Sequence, residues 1–184
     1  RLEKKRIIVY VERSQIKDLK QSLEFQFKLS VGALSPDTPL EDRMLLAKKF
    51  TAGVLDCIVT CEAFVEGFED LLPKAIYLLS SPTSPRIFFT RRGLLLLPQE
   101  GKYMPKIYDF VTIPPRQNFI DPQQKEIIMR ELPRVVELSR HATDSDLEEL
   151  QEYLETMKLE GTLKDYTGED LNRKIFTREE TYFD

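Results

Sequence analysis

Histidine and cysteine are almost absent: His141 is the single imidazole, and Cys57 and Cys61 are the two thiols. A zinc site needs about four ligands at suitable spacing, so the sequence argues against one. Both thiols fall in the apolar segment Val54-Leu-Asp-Cys-Ile-Val-Thr-Cys61. If that segment is a strand, they stand roughly 13 Å apart, too far to bridge. They read as two buried thiols. Long hydrophobic runs are missing too. The longest apolar stretch, Leu94 to Pro98, is far short of a bilayer span, and no signal peptide opens the chain. No membrane is expected, and the setting reads as cytoplasmic. The chain opens on Arg1 rather than Met, which reads as a fragment, a processed product or an incomplete sequence. Nor is there a basic excess. Lys and Arg number 27 against 31 Asp and Glu, giving a formal charge of -4. Any contact with nucleic acid must therefore come from a local patch.

What is present is an ordinary soluble balance, 41% hydrophobic and 32% charged over 184 residues, enough for one domain with an appendage. Arg6-Ile-Ile-Val-Tyr-Val-Glu-Arg13 is a continuous run of strand formers, the pattern of a strand buried on both faces. Ser14 reads as the cap of a helix carrying Ile16, Leu19, Leu23 and Phe27 at helical spacing. A second strand is expected over Leu29 to Leu34. Thr38-Pro-Leu-Glu41 predicts a capped helix to Thr51 with Leu40, Met44, Leu45 and Phe50 facing inward and Gly53 as its stop. Further strands are expected at Leu55 to Thr60, Lys74 to Ser80 and Lys106 to Thr112. A short helix from Ser84 to Arg92 and a buried strand over Leu94 to Leu97 are expected between the last two. This alternation predicts an α/β fold, a mainly parallel sheet flanked by helices, over residues 1–114. Residues 115–184 read as a helical extension and polar tail. Asp121-Pro-Gln-Gln124 opens a helix through Ile127, Ile128 and Leu132, which Pro133 kinks or restarts. A second helix carries Leu147, Leu150, Leu154 and Met157.

Three segments occur in the order of one family. Ile7-Ile-Val-Tyr-Val-Glu-Arg-Ser14 looks like helicase motif IV. Cys57-Ile-Val-Thr-Cys-Glu-Ala-Phe-Val-Glu-Gly-Phe-Glu69 looks like motif V. Ser84-Pro-Arg-Ile-Phe-Phe-Thr-Arg-Arg-Gly-Leu-Leu-Leu-Leu-Pro98 looks like motif VI. Over residues 5 to 140 the chain resembles the C-terminal, RecA-like lobe of superfamily-two DEAD/DEAH helicases, especially the XPB-like and restriction- or defence-type group. The resemblance implies a lobe of an ATP-driven helicase or translocase, acting on DNA rather than RNA. Its partner is an N-terminal lobe supplied in cis or in trans. ATP and magnesium are expected only with that lobe, because no G-x-x-x-x-G-K-[ST] loop and no acidic magnesium pair occur here.

The resemblance also implies site residues. Gly67, Glu69 and Arg91 fall at nucleotide-binding positions. Arg13, Ser14, Thr60 and Cys61 fall at positions that contact nucleic acid. No catalytic or metal-binding residue is expected. The family pattern Gln-Arg-x-Gly-Arg-x-x-Arg matches at Arg91 and Gly93, but both arginine-finger positions are leucine, Leu94 and Leu97. Leucine cannot stabilise charge developing on a γ-phosphate. Other readings therefore stand beside the first. The chain can be a degenerate lobe serving as a protein-interaction or scaffold module. An unrelated nucleotide-binding α/β domain lacks any Gly-rich fingerprint in support. Simpler roles also exist for single residues: Arg91 and Arg92 as an exposed pair at a helix end, Gly67 as a loop glycine, Ser14 as a cap.

Overall fold

The computed structural model describes residues 5–61, 71–80, 90–91, 93, 106–110, 115, 121–139 and 147–157. These fall into two compact units that divide after Phe110. In the first, the strands are β1 (Ile7–Tyr10), β2 (Val31–Leu34), β3 (Cys57–Thr60), β4 (Ala75–Leu78) and β5 (Lys106–Asp109), with helices α1 (Ile16–Phe27) and α2 (Leu40–Thr51) before and after β2. All strand pairings are parallel, in the order β2-β3-β1-β4-β5. The expected α/β fold with helices on a parallel sheet is what forms. Each strand is shorter than its expected run because only four residues of it pair on the ladder.

β1 is buried along its whole length, as a central parallel strand must be. Its side chains divide by alternation. Ile7, Val9 and Val11 join Val31, Cys57, Val59, Ala75 and Tyr77 on one face, where Ile16, Leu19 and Leu23 of α1 cover them. Ile8 and Tyr10 point to the other face. There α2 lies close to the sheet: a methyl group added at Gly32 would meet Leu46 Cδ2 at 2.9 Å and Leu55 Cδ1 at 3.0 Å. The chain passes outward from β1 to β2 through α1 and back to β3 through α2. Crossovers of one hand in opposite directions require opposite faces.

The expected caps differ from those formed. Ser14 lies inside a 3-10 turn, Arg13–Gln15, instead of capping α1. Gln15 Oε1 accepts from the Glu12 N–H at 3.2 Å, so Gln15 closes the turn and the helix starts later, at Ile16. Thr38 does not cap α2 either. Its hydroxyl accepts the Ser35 N–H at 2.9 Å, and Arg43 ties the same turn by donating to the carbonyls of Ser35, Pro36 and Thr38. Gly53 is the expected stop, at φ 74°.

The inward face of α2 is rotated from expectation. Leu40, Met44 and Leu45 are exposed, whereas Phe50 and Ala47 are buried and Leu46 reaches Gly32. Phe27 of α1 is exposed as well. The stripe 43-46-47-50 satisfies the helical period as well as the expected one does; Arg43 belongs to it through its stem while its guanidinium serves the turn.

In the second unit, α3 (Pro122–Ser139) and α4 (Leu147–Thr156) form the expected helical extension. Asp121 Oδ1 accepts the Gln124 N–H at 2.9 Å and Gln124 Oε1 accepts the Asp121 N–H at 3.3 Å, the reciprocal cap the sequence predicts. Pro133 lies within the continuous α3. Ile128 and Leu132 are buried, Ile127 is half out, and α4 buries Leu154 together with Tyr153, which its apolar spacing left unmarked. The expected helix over 84–92 is described only at Thr90 and Arg91, both helical, as is Gly93 beyond it. The expected strand over Leu94 to Leu97 lies outside the described residues.

The rotated α2 face gives a direct test. Phe50→Ala is expected to cost about 3–5 kcal/mol by cavity formation, and Leu40→Ala about 0.5 kcal/mol or less. Urea unfolding of the two variants measures both; a comparable loss from each would restore the expected orientation.

Candidate ligand edge of the sheet

In an open parallel sheet, ligands gather at the carboxyl ends of the strands, where adjacent connections leave toward opposite faces. Here β1 leads to α1 on the face of Ile7 and Val9. Its neighbour β4 leads to the helical residues at Thr90 and Arg91, and Arg91 lies over the ring of Tyr10 on the opposite face. The divergence between β1 and β4 marks the crevice.

Arg91 organises this edge. It is 4% exposed, which excludes the simple reading of a surface pair for this residue. Its Nη1 donates to the Ser80 carbonyl and its Nη2 to the Cys61 carbonyl, both at 2.9 Å. Its guanidinium carbon stands 4.2 Å from the centre of the Tyr10 ring. One side chain thus touches the ends of β3, β1 and β4, which are neighbours in the sheet. Charge-assisted hydrogen bonds contribute about 1.5–3 kcal/mol each, and a desolvated cation–π contact about 2 kcal/mol. Those gains offset the cost of burying a cation. Burial raises the Tyr10 pKa, and the Arg91 charge lowers it in part.

The rest of the edge is polar. Ser80 Oγ donates to Glu12 Oε1. Arg13 and Asp37 form an ion pair that joins the loop after β1 to the loop after β2. Those two strands flank β3, so the pair passes over its carboxyl end. Both partners are largely exposed, so the pair itself adds little stability. Ser14 is exposed, Cys61 half-buried and Thr60 fully buried. Of the four positions matched to nucleic-acid contacts, Arg13 and Ser14 are therefore openly accessible, and Thr60 offers no surface in this conformation. Gly67 and Glu69 lie outside the described residues. Glu12, Asp37 and Ser80 were not singled out by the sequence. Their positions just past strand ends are the signal that could have found them. Among the described residues no three His, Cys, Asp or Glu side chains gather as a metal site, and no helix is long and apolar enough to cross a membrane.

Neither thiol is in a disulfide, and the two differ sharply in burial. Cys57 is buried at the centre of the sheet; burial, then the Asp56 carboxylate beside it, pushes its pKa up to about 12. Cys61 is half-buried at the crevice rather than buried as expected.

No family model and no curated protein matches the sequence. Solved structures do match in fold. The C-terminal domain of a variant of S. cerevisiae Dbp5, bound to a Gle1 variant and IP6, aligns over 83% of this chain and 82% of its own at 14% identity, TM-score 0.50. The C-terminal part of the Fun30 ATPase domain aligns over 75% of this chain and 49% of its own at 13% identity, TM-score 0.50. The yeast DEAD-box splicing factor Prp28 aligns over 95% of this chain and 31% of its own at 11% identity, TM-score 0.52. At these identities the likeness is one of fold, and the fold is RecA-like.

The thiols give a sharp test. At pH 8 an aromatic disulfide reagent is expected to label Cys61 in the folded chain and Cys57 only on unfolding. The raised Cys57 pKa also carries a sign. Its stabilising contribution is whole below the ordinary thiol pKa and is lost as pH climbs from there toward 12. Cys57→Ala should therefore flatten the alkaline fall in stability, measured by urea unfolding between pH 8 and 11. An unchanged alkaline slope would show that the thiol titrates alike in the folded and unfolded chain, so that burial does not raise its pKa.

Proposed function

We propose that this chain is the second lobe of an ATP-dependent nucleic-acid helicase or translocase, with residues 1–114 as the lobe and 115–184 as its helical extension and tail. The observation that carries this reading is convergence. The three motif-like stretches begin on β1, on β3 and after β4, and Tyr10, Cys61, Ser80 and Arg91 meet at the carboxyl edge of these strands. The fold shared with the Fun30 ATPase fragment and Prp28 supports the same assignment.

In this reading Arg13, Ser14 and Cys61 face the nucleic-acid backbone, and the XPB-like cast of the motifs favours DNA. Gly67 and Glu69 belong to the nucleotide side. Arg91 shapes that side from within, because both its terminal nitrogens are engaged on backbone carbonyls. ATP and magnesium would bind only once a first lobe supplies the phosphate loop and acidic pair that this sequence lacks. Positioned next to such a lobe, this one would close the nucleotide cleft and change its grip on the polymer through the turnover cycle.

One observation favours a second reading, a lobe without finger chemistry that acts as an interaction module. Leu94 and Leu97 stand at the finger positions, and the one arginine that matches motif VI is buried. The Dbp5 C-terminal domain is bound to a protein partner and IP6, so a lobe of this fold can serve as a docking body.

Two measurements test the proposal. The purified chain alone is expected to release no phosphate from ATP, with or without DNA; turnover that survives repurification would overturn it. Fluorescence anisotropy across a salt series is expected to show weak DNA binding with a shallow slope, since the net charge is -4. Arg13→Ala should weaken it and reduce the slope by about 1. No binding to any DNA or RNA at low salt would leave the interaction module as the reading.

A further inference from the structure

We infer that Arg91 is a positioning residue. It holds the carboxyl ends of β3, β1 and β4 together and thereby fixes the position of Cys61 just past β3. Three contacts support this, each to a different strand end: the Cys61 carbonyl and the Ser80 carbonyl at 2.9 Å each, and the Tyr10 ring at 4.2 Å. The geometry is that of a fork. A guanidinium presents parallel donors in a plane, and the same plane can lie over an aromatic ring. The two carbonyls belong to residues 19 positions apart, Cys61 and Ser80, so the fork joins the ends of β3 and β4, which lie on either side of β1 and do not pair with each other. The edge needs such a tie because the ladder is ending there. Ser80 N–H and Leu79 N–H both turn to the Tyr10 carbonyl, at 3.1 and 3.0 Å, and Val11 N–H donates to the Thr60 carbonyl at 2.9 Å.

The segment after Cys61 runs through Gly67 and Glu69. That the end fixed by Arg91 leads into nucleotide-facing residues rests on the function proposed above; that Arg91 fixes Cys61 at the edge does not. The tie explains why this arginine stands beside leucines at the finger positions: it serves the frame of the crevice, and the frame is needed whether or not the lobe stabilises a phosphoryl group.

The two thiols make the inference measurable, because Cys61 reports the edge and Cys57 the core. The full chain is compared with Arg91→Met and Arg91→Lys by thiol labelling at pH 8 in the absence of nucleotide and DNA. Methionine keeps an apolar stem of similar length, while lysine keeps the charge but cannot span two carbonyls. Both variants are expected to raise the Cys61 labelling rate at least about tenfold while Cys57 stays protected. A Cys61 rate unchanged in both folded variants would overturn the inference. So would a Lys variant that behaves as wild type, since charge alone would then suffice. If either variant fails to fold, hydrogen exchange on the wild-type chain decides. Peptides covering Cys57–Cys61, Ala75–Ser80 and Arg91 are expected to open as one unit, with a shared dependence on denaturant; separate opening of these peptides would overturn the inference. ATP turnover by the isolated chain would overturn the proposed function and leave the positioning role standing.

Discussion

β1 has parallel partners on both edges and buried side chains on both faces, and the rest of the lobe is arranged around that requirement. A strand in this position cannot carry a polar side chain toward either face without a partner. One helix must cover each face, and the chain provides them by leaving β1 through α1 and returning through α2. The same requirement creates the crevice. A central strand whose own connection leaves on one face must sit beside a strand whose connection leaves on the other. At the carboxyl end of β1 the burial demand and the need for polar chemistry meet at Tyr10. Its ring is buried, and the cation lying over it supplies polarity without exposing the strand.

Much of this was legible in the sequence because it was written in periods. The strand run from Ile7 onward, the helix from Ile16 and the reciprocal cap at Asp121 and Gln124 all appear where their patterns place them. What failed to read out was decided by choices between equivalent local solutions. Thr38 can bond to a helix N–H or to a turn N–H, and the Ser35 turn takes it. In α2, two apolar stripes fit a helical period. Gly32, which lets Leu46 approach β2, selects between them, and nothing within the helix records that.

The site was less legible than the fold. Motif order marks which loops matter, yet it cannot tell a side chain that faces ligand from one that faces its own backbone. Arg91 sits at a matched position and proves buried, with both terminal nitrogens on carbonyls. Arg13, at another matched position, is exposed and shares its charge with Asp37. Asp37 lies in a loop with no motif, and proximity across β3 arises only when the sheet order is known.

The outermost pairing of the sheet has an optical consequence. The chain contains no tryptophan and seven tyrosines. Tyr77 of β4 and Tyr108 of β5 stack with ring centres 4.6 Å apart and planes inclined by 22°, with Phe110 next in line at 6.5 Å from Tyr77. Rings held this close and at a fixed angle couple their transition dipoles. No indole band masks the result, so the near-ultraviolet dichroism of the chain carries a signature that exists only while β5 lies against β4. The edge strand therefore has its own chromophore pair, and its docking can be followed separately from the helices that dominate the far-ultraviolet signal.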